Sequence, residues 1–342
     1  MSRGALLPNR MPDLPRTHAH LERGLGEDRW TGYSLAVRTK NRLLCLAGGD
    51  VPPSSGRVPW FSAGKPVTAV GVLRVLETAP GLGSEPLSTT FPELAGSHTG
   101  DLTLEAILSH QTGLRIVESQ LRGDTKKILT ALANVRPSDF QLAPGQASYD
   151  PAGGWWLLGH WLERRAGKPW PSFLQTEVLA PAGLGELRFD PAAVPMMERR
   201  AGKWIQAEPG TGPGAGLTGP AAALALFYEK LSQGELLSRG SLKKMLHPVR
   251  KGQRDATLGH VVDFGLGVIL NSNAYGAATV PYGFGTQAGA GAFGHGGARS
   301  SIAFADPAFG ITAAIFLNGR VPEIEHQPRM RRILDLLRSE LA

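Results

Sequence analysis

Strand-like runs sit at the two ends of this chain and are almost missing from its middle, and that distribution constrains the fold more than any other feature. Near the start, residues 32–48 read as a hairpin, because Ser34-Leu35-Ala36-Val37 and Arg42-Leu43-Leu44-Cys45-Leu46-Ala47 flank the polar turn Thr39-Lys40-Asn41. Near the end, 264–270, 298–305 and 310–317 read as strands. Between them, 87–185 is mostly helical in period, broken by turns at Pro144-Gly145, Gly167-Lys168-Pro169 and 181–183. Helices are also expected at 14–25, at 61–78 with a stop at Pro80-Gly81, at 220–233, and at 323–341, where Met330, Ile333, Leu334, Leu337 and Leu341 take the apolar positions. The pattern predicts an α/β (α+β) fold whose sheet is completed by both chain ends. It divides the chain into a discontinuous α/β domain, 1–80 plus 209–342, and a mainly helical domain, 81–208.

Composition narrows the class. The 342 residues include 44 Gly and 26 Pro without a G-X-Y period, and apolar segments recur throughout, so the chain is a loop-rich folded protein rather than a collagen or a disordered tract. The net charge is +7, but the positive residues are dispersed and the densest cluster, 329–332, holds only Arg329, Arg331 and Arg332. Nucleic acid is therefore not an expected partner. The single Cys45 has no disulfide partner and is expected to be inert core. The N-terminal stretch lacks a signal-peptide core, and no apolar run approaches the ~20 residues of a membrane span. The expectation is a soluble, cytoplasmic protein with no membrane partner.

The chemistry starts at Ser62-Ala63-Gly64-Lys65, at the head of the apolar helix. The i, i+3 spacing puts hydroxyl and amine on one face. A serine hydroxyl needs a base near neutral pH, and a desolvated lysine can serve. The motif alone is weak, since Ser241-Leu242-Lys243-Lys244 repeats it on what reads as a solvated helix. Other signals are decoys. Gly289-Ala290-Gly291-Ala292-Phe293-Gly294 spells GxGxxG but leads into a strand, so the helix that would hold a pyrophosphate is missing. His18 and His20 have no partner pattern for a metal, no GxSxG elbow occurs, and Trp155, Trp156 and Trp161 read as core. Neither metal nor cofactor is expected.

Around Ser62, the stretch 59–77 resembles the nucleophile helix of the serine β-lactamase and penicillin-binding-protein superfamily, in particular its class C and family VIII esterase branch. Further segments similar to that family follow in its order: Leu104 to Leu114 through Ser109-His110-Gln111-Thr112-Gly113, then Pro144-Gly145 and Tyr149-Asp150-Pro151, Leu157-Leu158-Gly159, Pro181-Ala182-Gly183-Leu184, Phe264-Gly265-Leu266-Gly267, Gly294-His295-Gly296-Gly297, Asp306-Pro307 and Leu317-Asn318-Gly319. The resemblance implies an α/β sandwich with an antiparallel sheet from both chain ends, an inserted helical domain and a site at their junction. It also implies Ser62 as nucleophile, Lys65 as its base or proton partner, and Tyr149 as a proton shuttle whose phenol the Lys65 charge would make more acidic. The oxyanion hole would be the backbone N–H groups of Ser62 and of Ala298, the latter at a strand start.

Two departures shape the expected substrate. The family's Tyr-x-Asn has Pro151 in its third place, so no side-chain amide is present to hold an amide substrate, and its Lys-Thr-Gly is replaced by His295-Gly296-Gly297. Both lean toward esters or thioesters of small molecules, free or carrier-protein-bound, with hydrolysis or acyl transfer as the outcome. Amide hydrolysis, peptide cyclisation and a non-catalytic binding protein are the alternatives. His295 is open to joining the Tyr149 and Ser62 network, lining the pocket or packing at a strand start. Arg299 is open to a substrate carboxylate or to solvent. Trp60 and Phe61 are expected to wall the pocket, and the loops 209–216 and 271–289 to shape it.

Overall fold

A computed structural model of the chain describes residues 14–52, 56–191, 194–276 and 283–342. The extreme N-terminus and parts of the loops at 51–58 and 271–289 lie outside the described residues. Helix α1 (Pro15–Gly26) precedes the hairpin β1 (Gly32–Thr39) and β2 (Arg42–Gly49). The other strands of the sheet are β3 (Ile269–Leu270), β4 (Phe293–Gly297), β5 (Ser301–Asp306) and β6 (Ile311–Asn318). They form one antiparallel sheet in the order β2-β1-β6-β5-β4-β3, so the last long strand pairs with the first, Leu35 opposite Ile315. The expected closure of the sheet by both chain ends is what the chain adopts.

Both faces of that sheet are buried, and the period of two sorts the side chains. Leu35, Val37, Ile315 and Leu317 join the core under the terminal helices α1 and α6 (Glu323–Leu341), with Met330, Ile333, Leu334 and Leu337 opposite them. Ala36, Ala314 and Phe316 point the other way, into the core shared with α5 (Ala221–Gln233) and α2 (Lys65–Thr78). That second core continues without a break into the helical middle of the chain, through α3 (Thr125–Asn134) and α4 (Gly153–Ala166). Local chemistry sets the helix ends: the Asp124 side chain caps α3, and Gly167 and Gly234 take the left-handed conformation just past α4 and α5.

Several expectations are corrected. The segment 264–270 enters the sheet only at Ile269–Leu270, because Gly267 turns with φ of +78° and Phe264 pairs with Arg250 instead. The segment 298–305 is not one strand: residues 298–300 form the turn between β4 and β5, with Ala298 and Arg299 at φ of +35° and +59°. A two-stranded hairpin, Met197–Arg200 with Lys203–Gln206, lies where only helix was expected, and the loop 209–216 contains one helical turn, Gly212–Ala215. Cys45 is exposed on the edge strand β2 rather than buried. Arg329 is nearly buried, donating to the carbonyls of Arg29, Arg299 and Gly319. Ser241 and Lys244 do lie on a surface helix, Arg239–Met245. Among the described residues no helix is long and apolar enough to cross a membrane, and no side-chain group has metal-ligand geometry.

Candidate active site

Ser62 sits in a single tight turn, Phe61–Gly64, that feeds directly into α2, where Pro66 fits because the first helical N–H groups need no partner. Phe61 holds φ at +49°, a conformation that costs a non-glycine residue about 1–2 kcal/mol. Lys65 is fully buried one turn later, and its Nζ donates to the carbonyls of Pro151 at 2.8 Å and Gly214 at 2.9 Å. Burial pushes its pKa down to about 7, against the pull of the Asp150 and Glu118 charges. Gly214 is required here: a Cβ would stand 2.9 Å from that amine and 2.7 Å from Trp155.

The Tyr149 phenol donates to Ser62 Oγ at 2.7 Å. The expected acidification by Lys65 does not occur. Burial raises the phenol well above its ordinary value, and the Asp150 and Asp255 charges raise it further, against the hydrogen bond to Ser62. Lys65 Nζ stands 5.6 Å from the ring centre and spends hydrogen bonds on backbone carbonyls instead. Tyr149 is therefore a protonated donor, not a phenolate.

Four residues, two of them in the quoted segments but none given a role there, hold Tyr149 in place. Asp255 Oδ1 accepts from the Tyr149 N–H at 3.0 Å and from Thr257 and Leu258, while Oδ2 faces Arg250 Nη1 at 2.9 Å in an ion pair with both side chains fully buried. Arg250 also donates to the His110 and Val262 carbonyls and lies 4.2 Å over the Phe264 ring. The His110 ring packs on Tyr149 at 4.6 Å, and its Nδ1 accepts the Asp150 N–H at 3.0 Å. The Asp150 carboxylate takes the N–H groups of Ile116, Gly153 and Gly154, fixing the start of α4 to the same loop. Asp150 was on view in the Tyr149-Asp150-Pro151 segment three residues before Gly153. Arg250 and Asp255 lie in an irregular loop with no signal to find them.

On the third side, β4 runs against the nucleophile turn. A Cβ on Gly297 would fall 2.3 Å from the Trp60 carbonyl and 2.4 Å from Ser301 Oγ, which itself donates to that carbonyl. Gly296 contributes its carbonyl, 2.7 Å from His295 Nδ1, which places the imidazole proton on Nδ1. His295 is buried in mid-strand rather than at a strand start, 5.9 Å from the Tyr149 ring, and burial followed by the Lys65 charge pushes its pKa down to about 3. Ala298 lies in the following turn, and Arg299 pairs with Glu198 at 3.2 Å beside Arg200 and Arg320.

Ser62 opens onto a cavity of about 190 Å³ lined by Pro151, Ala152, Trp156, Glu118, Leu121, Ala298 and the stretch 211–215. This confirms the loop 209–216 as a wall and corrects other expectations. Trp60 is core, with no exposure and its indole N–H on the Gly219 carbonyl, and Phe61 is buried beside it. Arg299, His295 and the described part of 271–289 do not line the cavity. Trp156, read as core, is buried in that core and also lines the cavity, and Glu118 is a wall no motif announced.

A family model described as Beta-lactamase matches residues 18–338. No curated protein matches the chain. Among solved structures, a penicillin-binding protein homolog from Caulobacter crescentus is 21% identical with a TM-score of 0.75, covering 98% of this chain and 99% of that one. EstCE1, described as a hydrolase with promiscuous acyltransferase activity, is 18% identical with a TM-score of 0.76 over 93% and 97% of the two chains. A D-amino acid amidase from Ochrobactrum anthropi is 17% identical with a TM-score of 0.72 over 96% and 100%. At such identities the likeness is one of fold.

Proposed function

The chain belongs to the β-lactamase family, and from that premise we propose that it is a serine hydrolase or acyltransferase acting on an ester or thioester of a small molecule through an acyl-Ser62 intermediate. The observation that carries this reading is the Tyr149 phenol on Ser62 Oγ with a desolvated Lys65 one turn away. A neutral lysine amine has two N–H groups, and both are occupied by the Pro151 and Gly214 carbonyls, which leaves its lone pair for the Ser62 proton. Ser62 Oγ then attacks the acyl carbonyl. The N–H groups of Ser62 and Ala298 would hold the oxyanion, and Tyr149 would give its proton to the departing oxygen or sulfur and regain one from Lys65. Water, or an acceptor alcohol or amine, attacks the acyl-enzyme by the reverse sequence.

Esters are favoured over amides because Pro151 offers no side-chain amide and His295 is neutral and buried away from the cavity. Amide hydrolysis is the second reading, and the likeness to a D-amino acid amidase is what speaks for it. Rates on a matched p-nitrophenyl ester and p-nitroanilide of one acyl group separate them. Faster turnover of the anilide, corrected for its lower intrinsic reactivity, would overturn the ester reading.

A further inference from the structure

The cavity beside Ser62 carries a single charged side chain among the described residues that line it, and that charge is negative. It belongs to Glu118, half of whose bonding capacity is spent: the Thr211 N–H, at 2.6 Å, and the Thr211 hydroxyl both donate to Oε1. Its Oε2 takes no hydrogen bond from the described residues. The Trp156 indole lines the same cavity, and apart from Ser62 and Thr211 the other side chains of the lining are apolar, among them Leu121, Pro151, Ala152 and Pro213. A carboxylate and an aromatic ring lining one otherwise uncharged pocket are the surround that an alkylammonium group favours.

No cation offsets Glu118 inside the cavity. Arg299 is turned to Glu198 and does not line it, the His295 ring is buried behind it, and Lys65 lies beneath with its amine on two carbonyls. An anionic acyl group would therefore meet a like charge, offset only by solvent and by the Lys65 amine beneath, and no cationic partner in the lining. We propose that this cavity selects acyl donors whose acyl chain carries an ammonium group, held by the Glu118 carboxylate against Trp156, and discriminates against chains that end in a carboxylate. The inference deepens the proposed function and rests on acylation of Ser62 from this cavity.

The plainest competing role for Glu118 is a latch between its own segment and the loop 209–216. Glu118→Gln separates the two, because a glutamine carbonyl still accepts from Thr211 while the charge is gone. The probes are p-nitrophenyl esters of 4-(trimethylammonio)butanoic acid, of its uncharged isostere 5,5-dimethylhexanoic acid, and of adipic acid. Wild type should favour the cationic ester over the isostere by about three- to tenfold in kcat/KM, the range of a partly exposed ion pair, and the adipyl ester should be the poorest. In Glu118→Gln the cation-to-isostere ratio should fall to near one. In Thr211→Val, which keeps the charge, the ratio should persist.

Binding of the cationic ester and its isostere to Ser62→Ala, with and without Glu118→Gln, gives the same ratio without turnover. Equal binding of the two, or a ratio that survives Glu118→Gln, overturns the inference. A charge-dependent ratio in binding, with no acylation of wild type by any ester, supports Glu118 as the ammonium-binding group and sinks both the hydrolase reading and the selection of acyl donors that rests on it.

Discussion

Tyr149 Oη stands 2.7 Å from Ser62 Oγ although 87 residues separate them in sequence. The phenol is held from behind by Asp255 on its backbone and His110 on its ring, so the contact belongs to a built platform and not to a mobile side chain. Tyr149→Phe keeps the ring and removes the proton. The expected loss in kcat is about 10²–10⁴-fold with little change in KM, alongside a stability change of only about 1 kcal/mol, read from ester kinetics and a denaturant titration.

The acidic limb of the pH profile should report Lys65. Its pKa is pushed down to about 7, so under the proposed mechanism the amine would take the Ser62 proton above that pH and be protonated below it. The logarithm of kcat/KM should rise with unit slope up to about pH 7 and then level. His295, with its pKa down to about 3, and His110, held well below its ordinary value, should contribute no inflection between pH 5 and 8. A limb that moves in His295→Asn would assign it to the imidazole.

The buried Arg250–Asp255 pair should be worth more broken than replaced. Arg250→Met leaves the Asp255 carboxylate unpaired with no access to water and should destabilise by about 3–5 kcal/mol. Adding Asp255→Asn removes the stranded charge while keeping an acceptor for the Tyr149 N–H, so the double variant should recover part of that loss. Denaturant midpoints of the two variants check the order.

Gly297→Ala should damage the oxyanion side of the site. Its Cβ would overlap the Trp60 carbonyl and displace the Ser301 hydroxyl from it, and relief requires β4 to move off the nucleophile turn. Overpacking of this kind costs about 1–3 kcal/mol of stability. The accompanying fall in kcat should exceed that in Tyr228→Phe, which removes a buried hydroxyl from the Ala63 carbonyl of the same turn without adding volume to it. Parallel kinetics and thermal melts decide it.

The chain ends and the grouping of Tyr149 with Ser62 and Lys65, the triad proposed here, were legible because each is written locally, as a period of two, a period of 3.6 or a short motif. What surrounds them was not. Trp60 beside Ser62 looked like a pocket wall, yet a two-residue pairing with Thr218–Gly219 turns that segment inward and buries the indole. Arg299 follows the third motif, but a left-handed turn sends it to Glu198. Asp255 reaches Tyr149 across 106 residues and Glu118 reaches Thr211 across 93, and partners that far apart leave no periodic trace in a single sequence.

The most direct test of the account is the intact mass of wild type and Ser62→Ala after exposure to an activated short-chain ester and, separately, to a fluorophosphonate. The account predicts a single adduct on wild type with each reagent, turned over in the case of the ester, and none on Ser62→Ala. No adduct on either protein would contradict it and leave a binding protein on a β-lactamase fold.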